Sequence, residues 1–261
     1  FDTPSAFKEG NTVIAAKDAD GNILWSWHIW LTDQPQGQVY YNNAGTMMDR
    51  NLGATSATPG DVGALGLLYQ WGRKDPFLGS SSVSTSTVAV STGNWPAAVY
   101  SNSYNGTIGY AVANPMTFIA YNSYNDDWYY TGTNTTDNTR WSVGSGKSVY
   151  DPCPSGWRVP DYSVWSEIVD SSDITPEYDS TNGGFNFSGF FGSASTIWYP
   201  ASGYRHTGGG KLYSAGTYGY YWSSSPNSYL AYSLRFSKNG ILDPSIYEYR
   251  TTGRSVRCIK E

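Results

Sequence analysis

The side chains best suited to recognition chemistry are tyrosines in the last quarter of the chain. Of the 261 residues, 23 are Tyr and 11 are Trp, and polar aromatic residues recur from Tyr204 to Tyr249 among Ser, Gly and Asn. Tyrosine joins a large apolar ring to a hydroxyl and loses little rotamer entropy when fixed, while Ser, Gly and Asn supply adaptable hydrogen bonds. This mixture favours contact with a sugar or a protein surface. An alternative remains open, in which these tyrosines are half-buried strand residues of an aromatic-rich frame.

Candidate ligand contacts are the residues of this region that the pattern places in turns or on the outward side of a strand. They are Asn227, Tyr229, Ser237, Lys238, Asn239, Tyr247, Tyr249 and Arg250. His206, in the glycine-rich turn Tyr204–Gly210, is a further candidate. The residues expected to form the framework are Tyr218, Tyr220, Tyr221, Trp222, Tyr232 and Phe236.

Catalysis is the weaker interpretation of the polar residues. Only the two histidines, His28 and His206, have an ordinary pKa near neutrality. His28 lies on a Trp-rich strand and is expected to be packed or hydrogen bonded there. Gly208–Lys211 lacks the spacing of a phosphate-binding loop. Two acid pairs without a supporting glycosidase motif are Asp126 with Asp127 and Glu167 with Asp170.

Neither a metal nor a cofactor is predicted from the acidic segments. Asp18–Asn22 resembles the start of an EF-hand loop, but Gly21 comes too early and no Glu follows at the twelfth position. We predict a hairpin turn there. Asn125–Asp127 is a weaker candidate for an adventitious metal.

Composition limits the partners. The net charge is −5 with no block of Lys or Arg, so the electrostatic signature of a nucleic-acid partner is missing. No run of 18 apolar residues is present, which argues against membrane insertion. The chain begins at Phe1 without a signal peptide, and we expect a mature fragment or part of a longer chain or surface assembly.

The two cysteines, Cys153 and Cys258, are separated by 105 positions. This spacing excludes a CxxC redox or zinc pattern and leaves two buried free thiols or one long-range disulfide. Only 14% of the residues are charged, and this low fraction gives the composition an extracellular character that favours the disulfide.

Periodicity predicts mostly short strands and loops with two short helices, the α+β class. A hairpin of Thr12–Ala16 and Ile23–Leu31 should bury Ile23, Trp25, Trp27 and Ile29. The first helix is predicted from Asp61 to Gly72, with its apolar stripe formed by Val62, Leu65, Leu68 and Tyr69. The second should follow Asp161 and bury Tyr162, Trp165, Ile168 and Val169.

Two further segments complete the predicted domain, which spans residues 1–261. Leu230–Ser237 alternates apolar and polar residues, which predicts a half-buried strand with one polar face. Residues 78–146 are rich in Ser, Thr, Asn and Tyr and are expected to form a surface insertion containing short strands.

Five short motifs, in order along the chain, resemble a known family. They are Met48–Ala54, Gly66–Phe77, Asp151–Pro160, Tyr220–Ser225 and Gly253–Lys260. Together they resemble the Fibrobacter succinogenes major paralogous domain family and its relative, the domain of unknown function 1566, which are common in Bacteroidetes surface proteins. The likeness covers about residues 10–261. It implies a C-type-lectin-like fold, in which a helix follows the Cys-containing segment and the final strand pairs near the start of the domain.

The C-terminal part also resembles the variable proteins of diversity-generating retroelements, which alter side chains on this fold to bind changing ligands. Their varied positions correspond here to the interval Asn227–Arg250. The Glu-Pro-Asn, Gln-Pro-Asp and Trp-Asn-Asp calcium motifs of many sugar-binding C-type lectins do not occur. The sequence therefore predicts an extracellular or cell-surface domain that binds a glycan or protein as an adhesin or receptor-binding module, on a bacterial surface or a phage tail. The alternatives are a structural module of a surface polymer such as a fimbria and, second, a glycan-active enzyme.

Overall fold

The computed structural model describes residues 8–40, 44–81, 95–143, 146–169, 176–188 and 196–261. In these ranges the chain consists mostly of β-strands with two α-helices, which agrees with the expected α+β class. The helices are α1 (Ile108–Ala113) and α2 (Tyr162–Val169), and Val62–Ala64 forms one 3-10 turn. The strands are β1 (Gly10–Lys17), β2 (Ile23–Leu31), β3 (Gly37–Val39), β4 (Thr46–Met48), β5 (Leu68–Gln70), β6 (Val99–Tyr100), β7 (Ile119–Ala120), β8 (Ser142–Val143), β9 (Gly146–Lys147), β10 (Trp157–Arg158), β11 (Glu177–Asp179), β12 (Gly184–Ser188), β13 (Thr196–Pro200), β14 (Tyr204–Arg205), β15 (Leu212–Tyr213), β16 (Tyr218–Asn227), β17 (Leu230–Ser237), β18 (Leu242–Tyr249), β19 (Gly253–Ser255) and β20 (Ile259–Lys260).

The largest sheet contains the C-terminal strands. Its order is β15-β14-β19-β16-β17-β18, and β5 also pairs with β19. Strands β16, β17 and β18 form an antiparallel meander, whereas β19 runs parallel to β16 through the pair Tyr221 and Ser255. Most of the residues predicted to bind ligand therefore lie on this sheet or in its turns.

The predicted long-range disulfide is present. Cys153 and Cys258 are joined with their Cα atoms 5.9 Å apart. The last strand, β20, lies beside Asp151–Pro160, the segment that contains Cys153, because it pairs with β10 on one side and with β4 on the other. The disulfide thus covalently joins the end of the chain to the segment that leads into α2.

Helix α2 packs on one face of the large sheet, as its apolar spacing predicted. Trp165 is fully buried and contacts the rings of Tyr199 and Tyr221 at 6.3 Å between centroids. The expectation for Tyr162 was wrong, because its side chain is 43% exposed and stacks on Tyr232 at the edge of the helix. Val164 takes the buried position in its place.

A second buried cluster lies around three tryptophans and the disulfide. Trp71, Trp141 and Trp222 are completely buried with Cys153 and Cys258. Their indole N–H groups donate to backbone carbonyls of Ser223, Arg73 and Tyr69 respectively, so the polar atoms of these large rings are satisfied.

The helix predicted from Asp61 to Gly72 is wrong beyond its first turn. Asp61 does cap the turn, since its Oδ1 accepts from the backbone N–H of Gly63 at 2.9 Å. Gly66 then adopts φ +69°, which ends the helical path, and Leu68–Gln70 pairs with β19 as a fully buried strand. The apolar spacing that suits a helix equally suits a short buried strand, and the pairing with β19 decides between them.

The N-terminal hairpin is present, but its burial is only partly as predicted, since Ile23, Trp25 and Ile29 are half-buried. Trp27 is 49% exposed, whereas Ser26 on the opposite face is buried. Ser26 Oγ donates to Asp75 at 2.7 Å, and Trp30 Nε1 donates to the carbonyl of Ala54 at 2.9 Å. Hydrogen bonds from the more polar face of the hairpin thus attach it to the rest of the domain. The spacing of apolar residues alone cannot predict these bonds.

The turn of the hairpin is the predicted one, with Asp18 Oδ1 accepting from the N–H groups of Asp20 and Asn22.

The polar face predicted for β17 is also wrong. Ser233 and Ser237 are fully buried, as are Leu234 and Phe236. The register with β18 shifts between Ser233 and Arg235, and the sheet is covered on both faces over this part. Buried Ser233 is satisfied because its Oγ donates to the carbonyl of Tyr221 at 3.0 Å.

Within residues 78–146, the predicted insertion, the described part contains the expected short strands, together with α1, which was not predicted from the sequence. The capping hydroxyl of Thr107 accepts from the N–H of Tyr110 at 3.1 Å and starts this helix. Trp128 and Trp141 from this segment are buried against the body, so the insertion is packed on the domain.

Candidate ligand-binding surface

Five aromatic side chains on strands β14, β15 and β16 and the adjoining turn are in continuous ring contact. We name them the Tyr204 cluster, and they are Tyr204, His206, Tyr213, Tyr218 and Tyr220. Tyr204 lies at its centre, with its ring centroid 5.2 Å from that of Tyr220 and 6.2 Å from that of Tyr213. Tyr213 is 47% exposed and His206 is also exposed, so the cluster opens to solvent along one side.

Local turns hold the cluster in place. Gly203 precedes β14 with φ +69°, and a Cβ there would meet the backbone oxygen of Tyr213 at 2.3 Å. Only glycine fits such a close approach. The turn after β14 is closed by the N–H of His206, which donates to the carbonyl of Lys211 at 2.8 Å. These contacts place Tyr204 and Tyr213 on neighbouring antiparallel strands as a direct cross-strand pair.

One charged pair lies beneath the rings. Glu248 Oε2 is 3.1 Å from Arg254 Nη2, and the Arg254 guanidinium lies 4.4 Å from the centre of the Tyr220 ring. The Arg254 side chain is 2% exposed and that of Glu248 is 25% exposed. Because the two charges compensate each other, the base of the cluster is close to neutral. The pair also provides polar atoms beside the aromatic faces.

The hydroxyls of Tyr204 and Tyr220 stay protonated at neutral pH. Burial raises the pKa of Tyr220 to about 12, and burial also raises the pKa of Tyr204 against the opposing charge of Arg254. A neutral hydroxyl both donates and accepts hydrogen bonds. His206 Nδ1 accepts from the N–H of Gly208 at 3.1 Å. Tyr204 and Tyr220 therefore present uncharged hydrogen-bonding groups.

The insertion extends this surface. Tyr100 is 56% exposed and its hydroxyl donates to the carbonyl of Gly208 at 3.1 Å. Its ring meets that of Tyr121, which is 41% exposed, at 5.7 Å between centroids. The turn that carries His206 thus lies between the Tyr204 cluster and two exposed tyrosines of the insertion.

A second group of tyrosines lies on the other face of the β17–β18 hairpin. Tyr162 stacks on Tyr232 at 4.7 Å, and Tyr232 meets Tyr247 edge-on at 6.3 Å. Tyr249 follows Tyr247 on the same side of β18, because side chains two positions apart share a face. We name Tyr162, Tyr232, Tyr247 and Tyr249 the hairpin tyrosine face. Glu248, between the last two, points to the Tyr204 cluster on the opposite face.

The predicted contact residues do not form one surface. His206 lies in the Tyr204 cluster, whereas the exposed Tyr247 and Tyr249 lie on the hairpin tyrosine face. Half-buried Tyr229 and Asn227 lie at the same end of the hairpin as Tyr249, which pairs with Leu230. Exposed Lys238 and Asn239 form the turn at the other end, about 20 Å away along the strand.

Two of the predicted contacts are buried and cannot touch a ligand directly. Ser237 is fully buried, and its Oγ accepts from the N–H groups of Asn239 and Ile241 at 3.2 Å, which shapes the turn. Arg250 is also fully buried. Its guanidinium donates to the carbonyls of Leu230, Ser228 and Asp137. Both residues look solvent-facing in the sequence because their partners are distant in the chain or come from the backbone.

Three framework residues behave as predicted, since Tyr221, Trp222 and Phe236 are completely buried. Tyr220 is nearly so, yet together with half-buried Tyr218 it joins the Tyr204 cluster. Tyr204 and Tyr213 belong to the predicted region Tyr204–Tyr249 but were not named as individual contacts, and Glu248, Tyr100 and Tyr121 were not named either. The local sequence signal for the Tyr204 cluster was the two-residue spacing of Tyr204 and His206, because residues two positions apart share a face of a strand.

Two of the candidate catalytic groups, His28 and Asp127, make structural contacts. His28 is hydrogen bonded to Asn11 Oδ1 at 2.8 Å, as expected of a packed strand residue. Asp127 is fully buried between Arg140 and Arg250, and it makes ion pairs with both. Asp170 lies outside the described residues. Within the described ranges, no three His, Cys, Asp or Glu side chains are grouped so as to hold a metal ion.

Comparisons with protein-family models, curated proteins and solved structures found no match to this chain. Among the helices that the structure describes, none is long and apolar enough to cross a membrane.

Proposed function

We propose that this chain is a secreted or surface-displayed binding domain of C-type-lectin-like fold, which recognises a carbohydrate or protein ligand through the Tyr204 cluster. The observation that carries the proposal is the continuous contact of five aromatic rings, open on one side, above the compensated pair Glu248 and Arg254. Rings fixed by their neighbours bind at low entropic cost, because few side-chain rotations remain to be lost.

The surroundings of the cluster favour recognition of an uncharged or mixed polar surface. The hydroxyls of Tyr204 and Tyr220 are neutral, the charges of Glu248 and Arg254 compensate each other, and Tyr100 and Tyr121 extend the exposed aromatic area. A ligand would stack apolar patches on the rings and bond its polar groups to hydroxyls and to Glu248. The mode needs no metal ion.

The fold assignment draws support from two features. Helix α2 directly follows the segment that carries Cys153, and the last strand pairs with both β10 and β4. These are the relationships that the resemblance to the Fibrobacter succinogenes paralogous domains implies. The disulfide favours an oxidising compartment and thus a secreted or cell-surface location.

The test is a glycan array combined with a pull-down of surface proteins, carried out with the wild-type chain and matched variants. The double variant His206→Ala/Tyr213→Ala removes two exposed rings of the cluster, and we expect binding to weaken by about a hundredfold or more. Tyr104→Ala is the control, because Tyr104 is 77% exposed and lies outside the cluster. Its binding should equal that of the wild type, and all variants should keep the wild-type melting temperature within about 2 °C.

The competing surface has its own variant. Tyr247→Ala/Tyr249→Ala removes the exposed part of the hairpin tyrosine face, and binding should persist in this variant. If binding instead survives loss of the cluster and disappears with the hairpin tyrosines, the proposed site is wrong. Absence of any ligand, together with polymerisation of the chain, would favour the structural module, and cleavage of a bound glycan would favour the enzyme.

A further inference from the structure

A separate cleft of about 440 Å³ lies between the N-terminal hairpin and the body of the domain. One wall is formed by β1 and β2, through residues such as Val13, Ala15 and His28. The facing wall is formed by Leu67, Phe77 and neighbouring prolines. Its volume falls within the usual range of small-molecule sites. The Tyr204 cluster does not contribute to it.

Specific hydrogen bonds hold this cleft open. Asn11 Nδ2 donates to the carbonyl of Gly53 at 2.8 Å, and Ser26 and Trp30 attach the second strand to Asp75 and to the backbone of Ala54. These attachments fix the hairpin at several points along its length. The hairpin therefore cannot simply collapse onto Leu67 and Phe77 to fill the space.

The described lining of the cleft carries no charge. It consists of aliphatic, aromatic and proline side chains with Asn11, Thr12 and His28. Burial lowers the pKa of His28 to about 4, so this ring is neutral at physiological pH. Its two nitrogens are occupied, since Nε2 lies 2.8 Å from Asn11 Oδ1 and Nδ1 lies 3.3 Å from the Tyr69 hydroxyl.

Two apolar side chains stand at the mouth of the cleft. Leu78 is 63% exposed and Met116 is 55% exposed, and both line the space. Covering them with an apolar ligand would remove their surface from water, which stabilises the complex.

We propose that this cleft binds an uncharged, largely apolar small molecule. A charged ligand would lose hydration without gaining an ionic partner in the described lining. A peptide would bring an amide group at every residue, while His28 and Asn11 are already bonded to protein atoms. An aromatic or aliphatic compound avoids both costs.

The test uses N-phenylnaphthylamine, an uncharged apolar dye whose fluorescence rises when it leaves water. We expect saturable binding of one dye per chain. The anionic relative anilinonaphthalene sulfonate should bind at least about tenfold more weakly, because the cleft offers its charge no partner. Equal affinity for both dyes, or a signal that does not saturate, would overturn the proposal.

Two matched variants locate the dye. Leu78→Asp places a charge at the mouth of the cleft and should weaken dye binding by about tenfold or more. Leu24→Asp is its control, since Leu24 is 60% exposed on the same domain but does not line the cleft. Both substitutions are at the surface. Ala15→Phe is a second, independent variant, because the larger side chain fills part of the cleft from an exposed position. Equal weakening by Leu24→Asp, or unchanged binding in Leu78→Asp and Ala15→Phe, would contradict the assignment, whatever becomes of the Tyr204 cluster.

Discussion

The guanidinium carbon of Arg250 lies 4.1 Å from the centre of the Trp71 ring. Both side chains are fully buried, although they come from the C-terminal sheet and from the strand region near β5. Arg140 of the insertion approaches the same ring at 5.0 Å, and both arginines pair with Asp127. The contacts of Arg250, Trp71 and Arg140 therefore join three distant parts of the chain. They explain why Arg250, which was predicted as a ligand contact, belongs to the buried framework.

Substitution of Arg250 should lower the free energy of unfolding without removing a contact to the ligand. Arg250→Met keeps much of the side-chain volume but leaves the carbonyls of Leu230, Ser228 and Asp137 without their donor. We expect a loss of about 3 kcal/mol in the free energy of unfolding, measured by urea denaturation. Arg235→Met is the matched control, because Arg235 is 26% exposed and its one ion pair is 3.4 Å long. It should cost less than about 1 kcal/mol. Similar losses for both variants would show that the buried hydrogen bonds of Arg250 contribute no more to stability than the partly exposed ion pair of Arg235.

Removal of the disulfide should lower the free energy of unfolding by a comparable amount, because the bond restricts the conformations of the unfolded chain. The bond closes a loop with a sequence separation of 105 residues. In the chain-entropy model such a loop stabilises the fold by up to about 4.7 kcal/mol. The double variant Cys153→Ala/Cys258→Ala should therefore shift the urea midpoint markedly. Wild-type protein unfolded in the presence of reductant should match the variant, and a midpoint that does not respond to reductant would refute this account.

Local patterns sufficed for the features that depend on neighbouring residues. The Asp18 turn, the N-terminal hairpin and helix α2 around Trp165 were predicted from the sequence, and the disulfide of Cys153 with Cys258 was favoured over two buried free thiols. Each depends on short-range geometry or on a constraint with few solutions. The element at Leu68 did not, because its apolar spacing fits helix and strand alike and only β19 selects the strand.

The surface chemistry was harder to foresee. Ser237 and Arg250 are polar in sequence, but both are buried. N–H groups of its own turn bond to Ser237, whereas carbonyls distant in the chain accept from Arg250. The five rings of the Tyr204 cluster all lie within Tyr204–Tyr220, but their contact depends on how β14, β15 and β16 are arranged in the sheet, and Glu248 comes from β18. The alternation of residues along a strand predicted which side chains share a face. It did not predict which face is exposed to solvent, because the register of β17 shifts and both faces of the sheet are covered there.

His28 should make the stability of the protein sensitive to acid. Burial lowers its pKa from 6.5 to about 4, against the opposing influence of Asp75. The unfolded chain binds the proton first, so this contribution to stability is complete above about pH 6.5 and is lost as the pH falls towards 4. The difference corresponds to about 3 kcal/mol.

The matched variant for this measurement is His28→Gln, whose amide can still donate to Asn11. Asp151 works in the opposite direction, because burial raises its pKa to about 6 and its contribution is lost as the pH rises through that value. The comparison must therefore be the difference in unfolding free energy between wild type and His28→Gln. That difference should change by about 3 kcal/mol between pH 6.5 and 4, in the sense that acid weakens the wild type relative to the variant. A difference that is constant with pH would show that His28 does not titrate in this range.

The mode of recognition at the Tyr204 cluster can be separated into ring and hydroxyl contributions at Tyr213. This side chain is 47% exposed and contacts both Tyr204 and His206, so it is held in place without being part of the core. If the ligand stacks on the ring, Tyr213→Phe should lose only one hydrogen bond, about 1 kcal/mol or roughly a fivefold change in Kd. Tyr213→Ala should lose the stacking as well, about 2 kcal/mol or more, which is about thirtyfold. Calorimetric titration with whichever ligand the array identifies gives both values. Equal losses in the two variants would mean that the hydroxyl alone carries recognition, because the Phe ring retains every apolar contact of the tyrosine.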